Sequence, residues 1–428
     1  MLSEIFLEVE MSTIWWHSKK LQPPLLLGHI CSKWRHVAHG TPKLWTTFSL
    51  QIRKSPKTVE GGRVDHASFA KDWLARAHPY PLRVSLDIDA ETLRRIMCAI
   101  LPSAYRLQIL ELDLPLTHRR PLVDFPAMSM PLLERLELSI NLSDYSKDAE
   151  PWEGRTTAFT AAPRLTIATL SFSDLLSSNI LLPWWQLTSL DISAMDDCSA
   201  DICLNVFIQC TNLVDCTLKM YVWEFREDMQ QAPFIVHPHL QKLDVTFVGA
   251  GETPPFFEPL ILPALKDLAV TTFDDFGWDH TIFMGFTLRS SLDLERLSIR
   301  GVHIYGDQLL EFLLHMRSLA ELEIMVSECL TDQLFDALCY REMDNQNLVP
   351  KLKTLLLSDI QVDVDDNRIA SMIESRWWTD DAPRMVSRLE RGAVHVQERN
   401  INAKVRERLD HCRLEGLDFR IAEGWYSM

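Results

Sequence analysis

The chain has 428 residues, 47% of them apolar and 24% charged, which is ordinary for a globular protein with room for more than one domain, and its formal net charge is −16 at pH 7. That acidic field argues against a nucleic-acid partner, which would call for a basic face, and leaves only a local basic patch open. No apolar run reaches the ~18 residues of a bilayer-spanning helix, no basic-then-apolar leader stands at the start, and the nine cysteines lack paired spacing, so no membrane is expected and the thiols read as reduced and buried, in a cytoplasmic or nuclear setting.

Leu2, Ile5, Phe6 and Val9 fall at i, i+3, i+4 and i+7 and predict a first short amphipathic helix. Pro23 and Pro24 suit a first helical turn, and Leu27, Ile30, Cys31, Trp34, Val37 and Ala38 form one apolar stripe behind them. His29, Ser32, Lys33, Arg35 and His36 fill the opposite, basic face. Gly40 stands where a left-handed cap is wanted, Thr41 and Pro42 suit an N-cap and a first turn, and Leu44 and Trp45 complete the next element. Residues 1–50 therefore read as three small helices with more apolar surface than they can bury alone, needing either a partner or the rest of the chain to cover it.

Leu2-Ser3-Glu4-Ile5-Phe6, the C-x-x-W-R-x-x-A run from Cys31 to Ala38 and the T-P-x-L-W run from Thr41 to Trp45 resemble an F-box in its fungal form, over about an eighth of the chain. The resemblance implies docking on the Skp-type adaptor, and through it on the cullin scaffold, of an SCF-type cullin–RING ubiquitin ligase. It assigns Leu2, Ile5, Phe6, Ile30, Trp34, Leu44 and Trp45 as adaptor-docking residues. The family usually carries Leu-Pro-x-Glu before its first helix, where this chain reads Met1-Leu2-Ser3-Glu4-Ile5. The alternative expectation is thus a non-ligase protein-binding scaffold with a degenerate, N-terminally truncated F-box. The plainest alternative is that residues 1–50 are a helical cap over a larger domain.

Residues 51–64, with Gly61-Gly62, read as a linker, and from there a short pattern organises the chain to residue 428. L-x-x-L-x-L or a variant starts at Leu107, Leu133, Ile167, Leu187, Leu213, Leu240, Leu265, Leu294, Leu319, Leu352 and Leu414, most copies about 20 to 34 residues apart. A weaker first copy ends at Ile88 and another lies at Leu389–Val396. The last two apolar positions alternate, which predicts a short strand with those side chains inward. The pattern resembles irregular leucine-rich repeats, although only Asn141 fills the asparagine place after the strand. Between the strands, helical stripes are predicted at Val64–His78, Glu91–Leu101, Asp201–Cys210, Asp307–Met316, Asp332–Tyr340, Asp366–Trp378 and Gln397–Cys412, several with an aspartate near the N-terminus that suits the helix dipole. The last strand is expected at Leu417–Ile421. The expected fold is α/β: an N-terminal three-helix F-box at 1–50, then a curved leucine-rich-repeat solenoid over 65–428 with a parallel sheet on its concave side. Three connections break the rhythm: the polar stretch Asn141–Pro163, the proline- and glycine-rich Gly249–Pro263, and the aromatic Phe273–Phe286, which shows little helical order.

No constellation for bond chemistry stands out. There is no G-x-S-x-G, no G-x-x-x-x-G-K-[ST] and no G-x-G-x-x-G, so neither an enzyme nor a cofactor is expected. Cys198, Cys203, Cys210 and Cys216 lack the spacing of structural zinc sites, and His237 with His239 is only a lone H-x-H pair. The tryptophan pairs at 15–16, 184–185 and 377–378 read as packing. The expected function is substrate reception for the ligase, with an unknown protein substrate held on the concave face. Taking each strand as x-L-x-L-x places Asp191, Asp215, Asp244, Asp267, Glu321 and Glu323 on that face as candidate substrate-binding residues, with Glu111, Asp113, Glu137 and Asp418 beside them. Fewer bases share it: Arg135, Lys219, Lys242, Arg296, Arg300 and Arg420. Neighbouring acids would reinforce one another across strands and favour a basic segment.

Overall fold

The computed structural model describes residues 2–11, 23–52, 65–88, 90–115, 127, 129–141, 155–171, 180–193, 200–221, 234–249, 251–252, 255–326, 328–342, 347–361, 363–380, 384–396 and 400–423. The Trp15-Trp16 pair, most of the 51–64 linker, Cys198 and much of the 141–163 insertion lie outside the described residues. The fold is α/β, built on parallel sheets, and the chain divides into two units, residues 1–198 and 199–428.

The first unit opens with helices α1 (Leu2–Met11), α2 (Pro23–Ile30) and α3 (Ser32–His39), then a 3-10 turn at Pro42–Trp45. The single stripe from Leu27 to Ala38 is thus cut in two. Cys31 is extended (φ −158°, ψ 168°), and its Sγ accepts the Trp34 N–H at 3.5 Å, so it is the N-cap of α3. The break frees the Gly28 carbonyl, which accepts Arg35 Nε at 2.8 Å. Gly40 is not left-handed (φ −86°), and Thr41 makes no side-chain cap; its hydroxyl donates back to the Val37 carbonyl at 2.7 Å.

Strand β1 (Thr47–Gln51) follows, then α4 (His66–Arg76), β2 (Leu82–Asp87), α5 (Ala90–Ile100), β3 (Leu107–Pro115), β4 (Arg135–Asn141), β5 (Ile167–Ser171) and β6 (Ser189–Ser193). These six strands are parallel and lie side by side in chain order. Strand β1 was not expected. It pairs residues 47–51 with β2, in the same contact unit as the N-terminal helices. One register row, Phe48, Val84, Leu110, Leu136, Ala168 and Leu190, runs buried across the unit.

The second unit contains α6 (Ala200–Gln209), β7 (Asp215–Tyr221), β8 (Ile235–Val236), β9 (Lys242–Val248), β10 (Gly251–Glu252), β11 (Leu260–Ile261), β12 (Asp267–Gly277), α7 (His280–Ser290), β13 (Arg296–His303), α8 (Gly306–Leu314), β14 (Glu321–Met325), α9 (Asp332–Leu338), β15 (Thr354–Ile360), α10 (Asp366–Ser375), β16 (Arg391–Val396), α11 (Ala403–Leu414) and β17 (Asp418–Glu423). Parallel strands run β7-β9-β12-β13-β14-β15-β16-β17, with β10 on the end of β12 and a small β8–β11 pair apart. Each predicted repeat copy runs into one of the observed strands, the weak first copy ending one residue past β2 and the last residue of the Ile167 copy lying outside the described residues, and the predicted helices start or stop within a few residues of the observed ones. The aromatic 273–286 stretch is the exception. Its first half extends β12, and its second half is α7, capped by Asp279, whose carboxylate accepts the Ile282 N–H at 3.0 Å.

The alternation inside the strands is strict where it matters for packing. The inward row of the second unit reads Cys216, Leu243, Leu268, Leu297, Leu322, Leu355, Gly392, Phe419, each buried against the next. Burying each of these leucines contributes on the order of 2 kcal/mol. Gly392 is the odd member, and the reason is on the next strand: a Cβ there would stand 2.6 Å from the Phe419 ring. Gly301 is required for a different reason. Its φ is +70°, and a Cβ would stand 2.2 Å from the Thr272 carbonyl oxygen.

Candidate functional site

Within the N-terminal helices, burial sorts the seven expected docking residues. Phe6, Leu44 and Trp45 are interior, with 1%, 0% and 0% of their surface exposed. Trp45 Nε1 donates to the Ala38 carbonyl at 2.8 Å, and its own carbonyl accepts Trp73 Nε1 at 2.9 Å. The two indoles meet edge to face at 4.7 Å, and the Arg76 guanidinium lies 4.7 Å over Trp45. Leu44 and Trp45 are therefore core of the chain itself and offer no surface to a partner, which corrects their expected role. Phe6 is closed off as well, its ring 4.9 Å from that of Trp34.

The other four remain accessible. Leu2 and Trp34 are half-buried, and Ile5 and Ile30 are 53% and 57% exposed. Leu26, not among the expected residues, is as exposed as Ile5. It stands one turn before Ile30, so the two share a face of α2. The i, i+4 relation is present in the sequence, but Leu26 lies off the 27–38 stripe. His29, Lys33, Arg35 and His36 are exposed around these residues. His39 has its pKa lowered by burial first, then by the charges of Arg76, Arg35 and His36. This face offers apolar side chains with a cationic rim, a combination suited to binding a protein.

The solvent-facing rows of the sheets differ from expectation. In the second unit the first row reads Asp215, Lys242, Asp267, Arg296, Glu321, Thr354, Arg391, Asp418, so acids there stand beside bases rather than beside acids. Arg296 Nε lies 3.1 Å from Asp267 and its Nη1 3.8 Å from Glu321. In the next row Glu323 accepts from Ser298 at 2.9 Å and from Arg300 at 2.7 Å, while Asp244 is half-buried. The premise of mutually reinforcing acids fails along this first row. In the first unit Glu111 and Glu137 do stand opposite one another, with Asp191 in the same row two strands on, but Arg83 pairs with Glu111 and Arg135 lies 3.7 Å from Glu137. Of the six expected substrate-binding acids, then, Asp267, Glu321 and Glu323 are engaged by arginines of their own sheet.

The described cysteines among the remaining chemistry candidates are interior. Cys203, Cys210 and Cys216 are buried, and burial pushes the Cys210 thiol up to about 12. Among the described residues no group of three His, Cys, Asp or Glu side chains could hold a metal. His237 is buried and His239 exposed, so the pair does not converge. Trp184 is buried, Trp185 is exposed, and Trp377 and Trp378 are half-buried. No helix among the described residues is long and apolar enough to cross a membrane. No protein-family model matches the chain, and no curated protein matches it.

Proposed function

We propose that the chain is a non-catalytic, protein-binding subunit of an SCF-type ubiquitin ligase: an F-box followed by leucine-rich repeats, acting in the cytoplasm or nucleus. The N-terminal helices dock on the Skp-type adaptor, and the repeats hold a protein substrate. The rate of ubiquitin transfer is then raised by proximity alone, with no residue of this chain touching the reacting atoms. The observation that carries this reading is the exposed apolar set Ile5, Leu26 and Ile30 on helices whose own core is already closed by Phe6, Leu44 and Trp45. Side chains of this size left outside a finished core are candidates for a partner's surface. The parallel strands that carry the repeat copies support the solenoid part of the reading.

Calorimetry with a recombinant Skp-type adaptor tests it. Wild type should bind, and Ile5→Asp/Ile30→Asp should lose about 2 kcal/mol or more, roughly 30-fold, with unchanged melting because both positions are exposed. A wild-type chain that ignores the adaptor, or a folded double variant that binds it equally well, sinks the docking role. The second reading, a protein-binding scaffold outside any ligase, draws on the Trp45–Trp73 packing and the β1–β2 pairing, which give residues 1–51 a sufficient role as a cap on their own sheet.

A further inference from the structure

In the first unit four strands are entered through the same turn. The Leu107 N–H donates to the Ala104 carbonyl before β3, Leu133 to Met130 before β4, Leu165 to Ala162 before β5 and Leu187 to Trp184 before β6, the last three at 3.1 Å. The second position of these turns is, in order, Tyr105, Pro131, Pro163 and Trp185. The strands then run in register, Ile109 with Arg135, Arg135 with Ile167 and Ile167 with Ser189, each four residues beyond its turn position. The four positions therefore form one column along the edge of the sheet. Leu82 pairs with Leu107, which sets Tyr80 beside Tyr105 at the head of the column.

Turn chemistry explains half of this column. Proline is favoured at the second position of such a turn because its fixed φ fits there. Nothing in the turn calls for an aromatic residue, and the two aromatics do not pack inward: Tyr105 is 49% exposed and Trp185 64%. The inward member of each turn is the residue before, Ala104, Met130, Ala162 or Trp184, all buried. The column is also held still. Gln186 Nε2 donates to the Ala162 and Leu165 carbonyls at 2.7 and 2.8 Å, and the Met130 N–H to the Ala161 carbonyl at 3.0 Å. Buried Arg106 donates to the Tyr80 carbonyl at 3.1 Å and to that of Leu74 at 2.8 Å, and its guanidinium lies 5.9 Å over the Tyr105 ring. A surface fixed in advance has little ordering cost left when a ligand arrives.

Spacing selects the ligand. Neighbouring strands lie ~4.8 Å apart, so every second position of the column recurs at ~9.6 Å and the five positions span ~19 Å. A polyproline II helix has three residues per turn and rises ~3.1 Å per residue, so it repeats every ~9.3 Å. About six residues of such a segment lie along the column and turn the same side toward it at each repeat. Aromatic-lined surfaces take proline-rich segments because rings pack on pyrrolidine faces and the segment is extended before it binds. Charge narrows the choice. On the four turns and the residue after each, the charged groups are Arg106, Glu134 and Arg164. Glu134 is half-buried and accepts Gln108 Nε2 at 3.0 Å. Arg164 is exposed beside Pro163 and meets no carboxylate among the described residues. At the other end the exposed Lys43 ammonium lies 5.6 Å over Tyr80. Glu111 and Glu137 stand further along their strands, the first paired with Arg83 and the second 3.7 Å from Arg135. Two exposed cations, one toward each end of the column, thus face one half-buried carboxylate.

We propose that the column from Tyr80 to Trp185 docks a proline-rich segment of a partner protein, extended as a polyproline II helix and flanked by carboxylates. Prolines of the segment pack on Tyr105 and Trp185, and its acidic flanks are received by Lys43 and Arg164. This names the substrate class for the protein-binding reading above and rests on it, but not on attachment to the adaptor.

The probe is a fluorescein-labelled polyproline peptide of about ten residues with glutamates at both ends, so that either chain direction presents a carboxylate to Arg164. It is titrated with the full chain and read by anisotropy, against the same polyproline with lysines at both ends and a glycine–serine peptide with the glutamates. The glutamate-flanked polyproline should bind, the lysine-flanked one more weakly, and the glycine–serine peptide weakest. Tyr105→Ala and Trp185→Ala should each weaken binding about tenfold or more, with unchanged melting because both side chains are exposed. Trp185→Phe should keep most of the affinity, and Arg164→Glu should reverse the order of the two polyprolines. No binding by wild type overturns the proposal, as does equal binding by both alanine variants. A glycine–serine peptide that binds as well as the polyproline, or an unchanged order in Arg164→Glu, overturns it too. Adaptor binding by Trp185→Ala, measured in parallel, should be unaltered. Failure of peptide binding with adaptor binding intact removes only this site, and the reverse outcome removes only the ligase attachment.

Discussion

His237 puts a neutral imidazole where charge is hard to accommodate. Its ring centroid lies 4.1 Å from that of Phe207, only 1% of the residue is exposed, and neither ring nitrogen has a hydrogen-bond partner among the described residues. Burial lowers its pKa from 6.5 to about 4. Between those values the unfolded chain takes up a proton that the folded chain refuses, so this residue's contribution is intact above pH 6.5 and is lost as the pH falls toward 4. The loss by pH 4.5 should be about 2–3 kcal/mol. Urea unfolding at pH 7 and pH 4.5 measures it. Wild type should lose that much more stability than His237→Leu over the interval, and identical losses would mean the imidazole is not shielded. In sequence, the same residue was only half of a weak H-x-H pair. What decides its state is the pairing of β8 with β11 and the approach of Phe207 from α6, both of which are tertiary.

Strand register is the element-scale feature on which the solvent-facing rows depend. Leu243 is fully buried on β9, and Asp244 beside it is half-buried on the other face. Leu243→Asp should unfold the second unit, because it buries an unpaired charge, whereas Asp244→Ala should stay within about 1 kcal/mol of wild type. Similar melting curves for the two variants would put the strand in the wrong register. The strands were legible because each carries its own period-2 signal. Helix α7 was not, because Thr287 and Ser290 occupy its buried face. Thr287 returns its hydroxyl to the Phe283 carbonyl, and Ser290 accepts the Leu262 N–H, so both are satisfied inside yet polar to a pattern search. The capping Asp279 was the signal available. Trp45 fails for another reason. An amphipathic stripe says that a face is covered, not by what, and here the cover is Trp73, twenty-eight residues later.

For the whole molecule, the formal charge of −16 sets two electrostatic contributions against one another. The sheet's ion pairs have contacts shorter than 4 Å, such as Arg296–Asp267 at 3.1 Å and Arg300–Glu323 at 2.7 Å. Salt at 0.1 M screens over about 10 Å, so it weakens these close pairs less than it weakens the diffuse repulsion among surplus acids. The melting temperature should therefore rise between 10 and 150 mM potassium chloride. A fall would mean that the pairs contribute more than the repulsion removes.

Gly392 and Phe419 share one packing volume between two strands. Neither residue can drift alone: a side chain at 392 needs the ring at 419 to shrink, and a smaller residue at 419 leaves a void that only a larger neighbour refills. In any lineage that keeps this sheet, the two positions are expected to covary, large opposite small, and that coupled history would record the pairing of the last two strands in sequence alone.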